Sequence, residues 1–271
     1  MKRSLAALVL VLAACVPASE KRPPAGAAGY ATDPSAAAKG EPFTSNGWTV
    51  RIEELVFQAS VGATPLSRDS DDPYGGGYGG SELYRWNARD RVEVFTPGLR
   101  LGQWSVSISL RGLYRYGGDD KNYDDRLVSY GVDERLAERF RPLESGTRSY
   151  TEGPSFLVIA RGEKAGRVVM LDVALSADIT FSSTGLPYAG PPLAVREDSL
   201  TTAPLRVSAE VLFSSGLGFD LVASADANND GRVDETELRQ VTTKCCGLMG
   251  TPTKTTLADA LAKNAGVVLQ P

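Results

Sequence analysis

Val169-Met170-Leu171-Asp172-Val173-Ala174-Leu175-Ser176-Ala177-Asp178-Ile179-Thr180-Phe181 is the longest alternating run in the chain. Val169, Leu171, Val173, Leu175, Ala177, Ile179 and Phe181 fall at every second position. A period of two places all seven on one face of an extended backbone, whereas a helix would scatter them around its surface. The run therefore reads as a half-buried β-strand, and the pattern recurs on either side of it. Trp104, Val106, Ile108 and Leu110 alternate with Gln103, Ser105, Ser107 and Ser109. Trp48, Val50 and Ile52 share a face, and then the phase shifts so that Leu55, Phe57 and Ala59 are apolar. One extra residue near Glu53-Glu54, a β-bulge, would produce that shift. Val92 and Val94, the apolar run Phe156 to Ala160, and the series Leu205, Val207, Ala209, Val211 and Phe213 add further strands. With Gly- and Pro-rich connections between them, these runs predict a mainly β fold, an antiparallel β-sandwich over residues 42–215. One modest helix interrupts it, with Asp133 as N-cap and Leu136 and Phe140 on one face.

Residues 216–271 change character. Asp226 to Glu237 reads D-A-N-N-D-G-R-V-D-E-T-E. Oxygen-bearing side chains stand at positions 1, 3, 5, 9 and 12 of this segment: Asp226, Asn228, Asp230, Asp234 and Glu237. Gly231 is at position 6, where a sharp reversal favours positive φ, and the β-branched Val233 is at position 8. Calcium takes six to eight oxygen ligands, and this spacing would wrap them around one ion, with Arg232 giving its backbone carbonyl and Glu237 closing the shell. A polar turn before a helix would use the same residue types, but not every constrained position at once. Phe219, Val222 and Ala223 give the helical face of an entering helix over 217–225, and Leu238, Val241 and Thr242 that of an exiting helix over 234–246. Thr256 and Asp259 look like the capping start of a last helix that should stop by Gly266.

The chain begins with Lys2 and Arg3, a short apolar run from Leu5 to Leu12, and then Leu12-Ala13-Ala14-Cys15. The run is too short for a stable membrane span and fits an export signal over residues 1–14. The L-A-A-C ending resembles the lipobox of bacterial lipoproteins. That resemblance implies that Cys15 becomes the lipidated first residue of the mature chain, carrying a thioether diacylglycerol and acyl groups such as palmitate. Several acyl chains anchor a protein stably in a membrane, where one gives only reversible binding. Residues 15–41 are rich in Pro, Ala, Gly and Ser and read as the lipidated cysteine with a flexible tether.

Loss of Lys2 and Arg3 with the leader leaves 27 of the 29 basic residues against 33 acidic ones, net −6. That balance carries no signature of nucleic-acid binding. Histidine is absent, which removes His-based triads and His-liganded zinc, copper or haem. Of three cysteines, Cys245 and Cys246 are adjacent. They read first as partly buried thiols at the end of the exiting helix; a strained vicinal bridge or reactive thiols are the alternatives. Two further loops, Asp69 to Gly80 and Tyr116 to Asp125, combine Tyr, Gly and Asp beside the similar tetrapeptides Leu83-Tyr84-Arg85-Trp86 and Leu113-Tyr114-Arg115-Tyr116.

The segment L-V-A-S-A-D-A-N-N-D-G-R-V-D-E-T-E-L resembles an EF-hand. Together with the lipobox and a β-rich body, the chain resembles secreted lipoproteins of the kind found in myxobacteria and their relatives. EF-hands commonly pair through their position-8 residues, and a single loop is present here. The resemblance implies a lone, structural calcium ion in a cell-envelope protein, outer-membrane, surface-exposed or retained at the inner membrane, without catalysis. A glycan- or protein-binding module would instead present Tyr74, Tyr78, Tyr84 and Trp86 as an exposed platform. A hydrolase would need two close carboxylates, one of them in apolar surroundings.

Overall fold

The computed structural model describes residues 25–66, 77–85, 93–110, 129–130, 132–140, 153–177, 179–182, 192–214, 216–245 and 253–270. The first half carries strands β1 (Ala25–Pro34), β2 (Phe43–Ser45), β3 (Trp48–Pro65), β4 (Gly77–Arg85), β5 (Glu93–Arg100), β6 (Gly102–Leu110) and β7 (Ser129–Tyr130), then helix α1 (Glu134–Glu138). Next come β8 (Phe156–Lys164), β9 (Arg167–Leu175), β10 (Ile179–Ser182), β11 (Leu193–Val195), β12 (Leu200–Val207) and a 3₁₀ helix at Ala209–Phe213. The C-terminal part holds α2 (Phe219–Ser224), β13 (Arg232–Val233), α3 (Glu235–Gln240), β14 (Thr242–Cys245), β15 (Thr253–Thr256), α4 (Leu257–Val268) and β16 (Leu269–Gln270). The fold is mainly β. Its sheets are mixed rather than purely antiparallel, because β1 runs parallel to β12, β4 to β7 and β13 to β9.

β3 is the spine of the larger sheet. Val56 and Phe57 pair with β4 and with β8, and Ala59 to Ala63 lie between β4 and β6. One edge of β3 is therefore lined first by β8 and then by β6. The register against β8 shifts between Ile52 and Glu54, which is the bulge expected from the phase change. The alternating run 169–181 follows the same division. β9 pairs with β8 and β10 with β6, so the run lies one strand further out along the same spine, and its first strand stops at Leu175 before the neighbour changes. Ser155 stitches that junction: its carbonyl accepts from Gln58 N–H at 2.8 Å, and its Oγ bonds both the carbonyl and the N–H of Ala177. Leu55 to Ala59 are all buried. Leu55 and Phe57 face the main core, while α1 covers the other face, where Val56, Leu83, Leu157, Leu136 and Phe140 pack together. Asp133 Oδ1 accepts from Leu136 N–H at 2.9 Å, the expected N-cap.

The smaller sheet runs in the order β16-β12-β1-β5. Its β1 corrects the expected tether: residues 25–34 form a strand between β5 and β12, and Ala28 and Tyr30 are fully buried. The composition misleads because small residues are what the site accepts. A Cβ on Gly29 would stand 2.1 Å from the Val94 carbonyl oxygen, and one on Gly26 would stand 2.1 Å from that of Arg196. Tyr30 Oη donates to the Val106 carbonyl at 2.8 Å and Thr96 Oγ1 to that of Val61 at 2.7 Å, tying the smaller sheet to the larger. Burial pushes the Tyr30 phenol well above its ordinary pKa, so it remains a proton donor.

The C-terminal residues share this core rather than forming a separate layer. β13 extends the larger sheet, β16 pairs with β12, and side chains of α2, α3 and α4 lie in the main cluster. The series expected as a last strand to Phe213 stops at Val207, and Ala209–Phe213 turn into the 3₁₀ helix that α4 packs against. Asn264, buried on α4, donates to the carbonyls of Leu212 and Ser214 there. The exiting helix ends at Gln240, not Cys246, and Thr242 is exposed rather than inward-facing. From Thr242 the chain becomes β14 and pairs with β15, an outcome that suits its β-branched Thr242-Thr243. Cys245 thus ends a strand, and Cys246 lies outside the described residues. α4 starts at the Thr256 cap, with Asp259 N–H donating to Thr256 Oγ1, but passes Gly266 to Val268 because Ala265, Val268 and Leu269 are buried.

Candidate metal centre

The segment from α2 to α3 is seated on the larger sheet at three points. Phe219, the first residue of α2, packs on β8 at Gly162, where an added Cβ would stand 2.1 Å from the phenyl ring. That glycine leaves room for a ring whose burial contributes about 2–3 kcal/mol. Phe219 also meets Trp48 and Phe213, with ring centroids 5.5 and 5.3 Å away. The start of α2 is fixed to the turn before β3: Phe219 N–H donates to Ser45 Oγ, and Asn46 Nδ2 to Asp220 Oδ1.

The second point is position 8 of the loop. Arg232 and Val233 form the short parallel bridge with Met170 and Leu171, and Met170 N–H donates to the Gly231 carbonyl at 2.8 Å. Val233 is buried. The sheet edge thus holds the middle of the loop by backbone pairing. The Arg232 side chain reaches back to Asp172 on β9 at 3.8 Å, and Arg139, beyond α1, pairs with the other oxygen of Asp172.

The third point is Asp226. Its side chain is only 2 % exposed. Oδ2 accepts from Arg167 Nη2 at 2.9 Å, and the same nitrogen donates to the Ala223 carbonyl at 3.2 Å. Oδ1 is buried with no hydrogen-bond partner. A buried carboxylate oxygen without a donor costs free energy, and a cation or a donor would relieve it.

The remaining loop residues bond locally. Asn228 Oδ1 accepts from Asp230 N–H at 2.9 Å and Asp230 Oδ1 from Arg232 N–H at 2.7 Å. Asn229 and Gly231 have φ of 56° and 79°, so the chain curls twice between positions 3 and 7. Asn tolerates this conformation better than most residues, and Gly adopts it freely. Asp234 caps α3 by accepting from Glu237 N–H at 3.0 Å, and Glu237 Oε2 returns the bond from Asp234 N–H at 3.3 Å. This capping box orients the first turn of α3 from residues three apart.

All five expected side-chain ligands therefore sit on one docked loop, where Asp226 meets Arg167 and the other four bond within the loop. Among the described residues no three Asp, Glu or Cys side chains converge into a metal-holding group. The donor set nevertheless suits a hard cation: carboxylates and an amide carbonyl, with one carboxylate oxygen buried and unsatisfied. Spacing alone did not reveal Arg167. In the sequence Arg167 is only a basic residue just before the longest alternating run, and its relation to Asp226 depends on register.

Of the aromatic platform, Tyr84 is buried with its hydroxyl donating to Glu82, so it presents no exposed ring. Tyr74, Trp86, the loop 116–125 and Cys15 lie outside the described residues. No described helix is long and apolar enough to cross a membrane. Comparison with protein-family models, with curated proteins and with solved structures found no match.

Proposed function

We propose that this chain is a lipid-anchored cell-envelope protein that holds a structural calcium ion in the loop Asp226–Glu237, without catalysis. The observation that carries the reading is the buried, unpartnered Oδ1 of Asp226, at position 1 of a loop bonded to the sheet edge. Asp226, Asn228, Asp230, the Arg232 carbonyl, Asp234 and Glu237 would be the ligands. Calcium would supply positive charge to four carboxylates that otherwise repel one another. The rest is the work of the chain: Phe219 holds the start of α2 and the 232–233 bridge holds the middle of the loop against the sheet, so ordering the loop braces α2 and α3. In this reading the two sheets are the layers of a β-sandwich, and α2, the loop and α3 are an EF-hand-like unit built against it. Lipidation at Cys15 would place the protein on a membrane surface.

Calcium should raise the melting temperature once it exceeds a dissociation constant of ~10⁻⁴ to 10⁻³ M, the range of extracellular modules. Each tenfold excess should add roughly 1.4 kcal/mol of stability. Glu237→Gln should abolish most of the rise, and magnesium should substitute poorly. A flat titration, identical for wild type and Glu237→Gln, rejects calcium binding. For the anchor, Cys15→Ser should release the protein from the membrane fraction or block its maturation; unchanged partitioning and processing reject lipidation.

A further inference from the structure

We propose that Arg167 is the resident counter-ion of Asp226, competing with calcium for the same carboxylate, so that it weakens calcium binding and lets the protein fold without the ion. The inference rests on the calcium reading above and concerns how that site is tuned.

Asp226 directly follows the last turn of α2 and is buried, so its carboxylate has little freedom to move away. A buried carboxylate needs a compensating charge or donors. Arg167 is the described group that answers this need, with one guanidinium nitrogen bridging Asp226 Oδ2 at 2.9 Å and the Ala223 carbonyl at 3.2 Å. Its position is set by register. Arg167 opens β9, and three residues later Met170 begins the bridge that holds position 7 of the loop. The sheet edge that receives the loop therefore also delivers the cation to position 1.

The two partners differ in freedom. The Arg167 side chain is 47 % exposed while that of Asp226 is 2 % exposed. The guanidinium can swing into water when another cation takes the carboxylate; the carboxylate has nowhere to go. A divalent ion at the loop and a guanidinium a few ångströms away repel each other, so occupancy by one disfavours the other. Such coupling between two ligands of one group lowers the apparent affinity of each. Arg suits this role because its guanidinium presents several donors on one flexible stem, so it can hold the Asp226 carboxylate and the Ala223 carbonyl together.

The test is a calcium chloride titration by calorimetry of the full chain stripped with chelator, alongside melting curves with and without calcium. Arg167→Met should bind calcium ~10-fold more tightly than wild type, within the usual span of coupling between sites. It should melt lower than wild type in chelator yet close to wild type when saturated. Arg167→Lys, which keeps the charge, should lie between. A residue with only a structural role would lower both melting temperatures and leave the affinity unchanged. If Arg167→Met folds only when calcium is added, the proposal is supported, because calcium then replaces the missing counter-ion. If Arg167→Met is folded in chelator and binds calcium equally or more weakly while wild type binds measurably, competition is rejected and calcium binding stands. If neither protein takes up calcium at millimolar concentration, the calcium reading falls and this proposal with it.

Discussion

The loop Asp226–Glu237 and the first strand Ala25–Pro34 are both poor in large apolar side chains, yet they are held in opposite ways. Within the loop, the polar groups that follow Asp226 find partners two or three residues away: Asn228 with Asp230, Asp230 with Arg232, Asp234 with Glu237. The strand finds its partners far off. It pairs with Glu93 to Arg100 on one side and with Leu200 to Val207 on the other, and Tyr30 reaches Val106. A structure held by near neighbours leaves a spacing in the sequence. One held by distant neighbours leaves only small residues, and those look like a linker.

The sharpest way to break this contrast is truncation. A chain beginning at Glu41 should fail to fold, since it lacks the strand between β5 and β12, whereas one beginning at Ala25 should melt cooperatively. Equal urea-denaturation curves for the two would return residues 25–40 to the status of a tether. A smaller effect is expected from Gly29→Ala. In a flexible tether this change would be neutral or slightly stabilising. Between β5 and β12 the added carbon meets the Val94 backbone, and the loss should be about 1–3 kcal/mol by urea denaturation. Smallest is Asp234→Ala, which removes the cap of α3. Measured in chelator it should cost about 1 kcal/mol. A loss as large as that for truncation would show that the loop is not locally held and would erase the distinction.

The partly legible elements lie between these extremes. The run 169–181 was legible as β structure but not as two strands, because the break after Leu175 comes from a change of neighbour from β8 to β6. In the candidate site, the five oxygen side chains, the curl at Gly231 and the apolar Val233 could be read from the chain itself. Arg167, Gly162 and the bridge to Met170 and Leu171 could not, because each acts on a residue more than fifty positions away. The exiting helix shows local preference overruled: its pattern continued, but pairing of β14 with β15 stopped it at Gln240.

By itself, the sequence determined what depends on residues within a few positions of one another. These are the period-two strands, the bulge between Ile52 and Glu54, the caps at Asp133, Asp234 and Thr256, and the loop with its oxygen spacing. The tertiary structure alone decided which strands became neighbours, and hence that Ala25–Pro34 is core, that the loop leans on β9, and that Asp226 meets Arg167. The physical reason is range. A cap or a face is set by backbone geometry over one or two turns, whereas strand pairing and the charge that meets a buried carboxylate are selected by the packing of the whole chain.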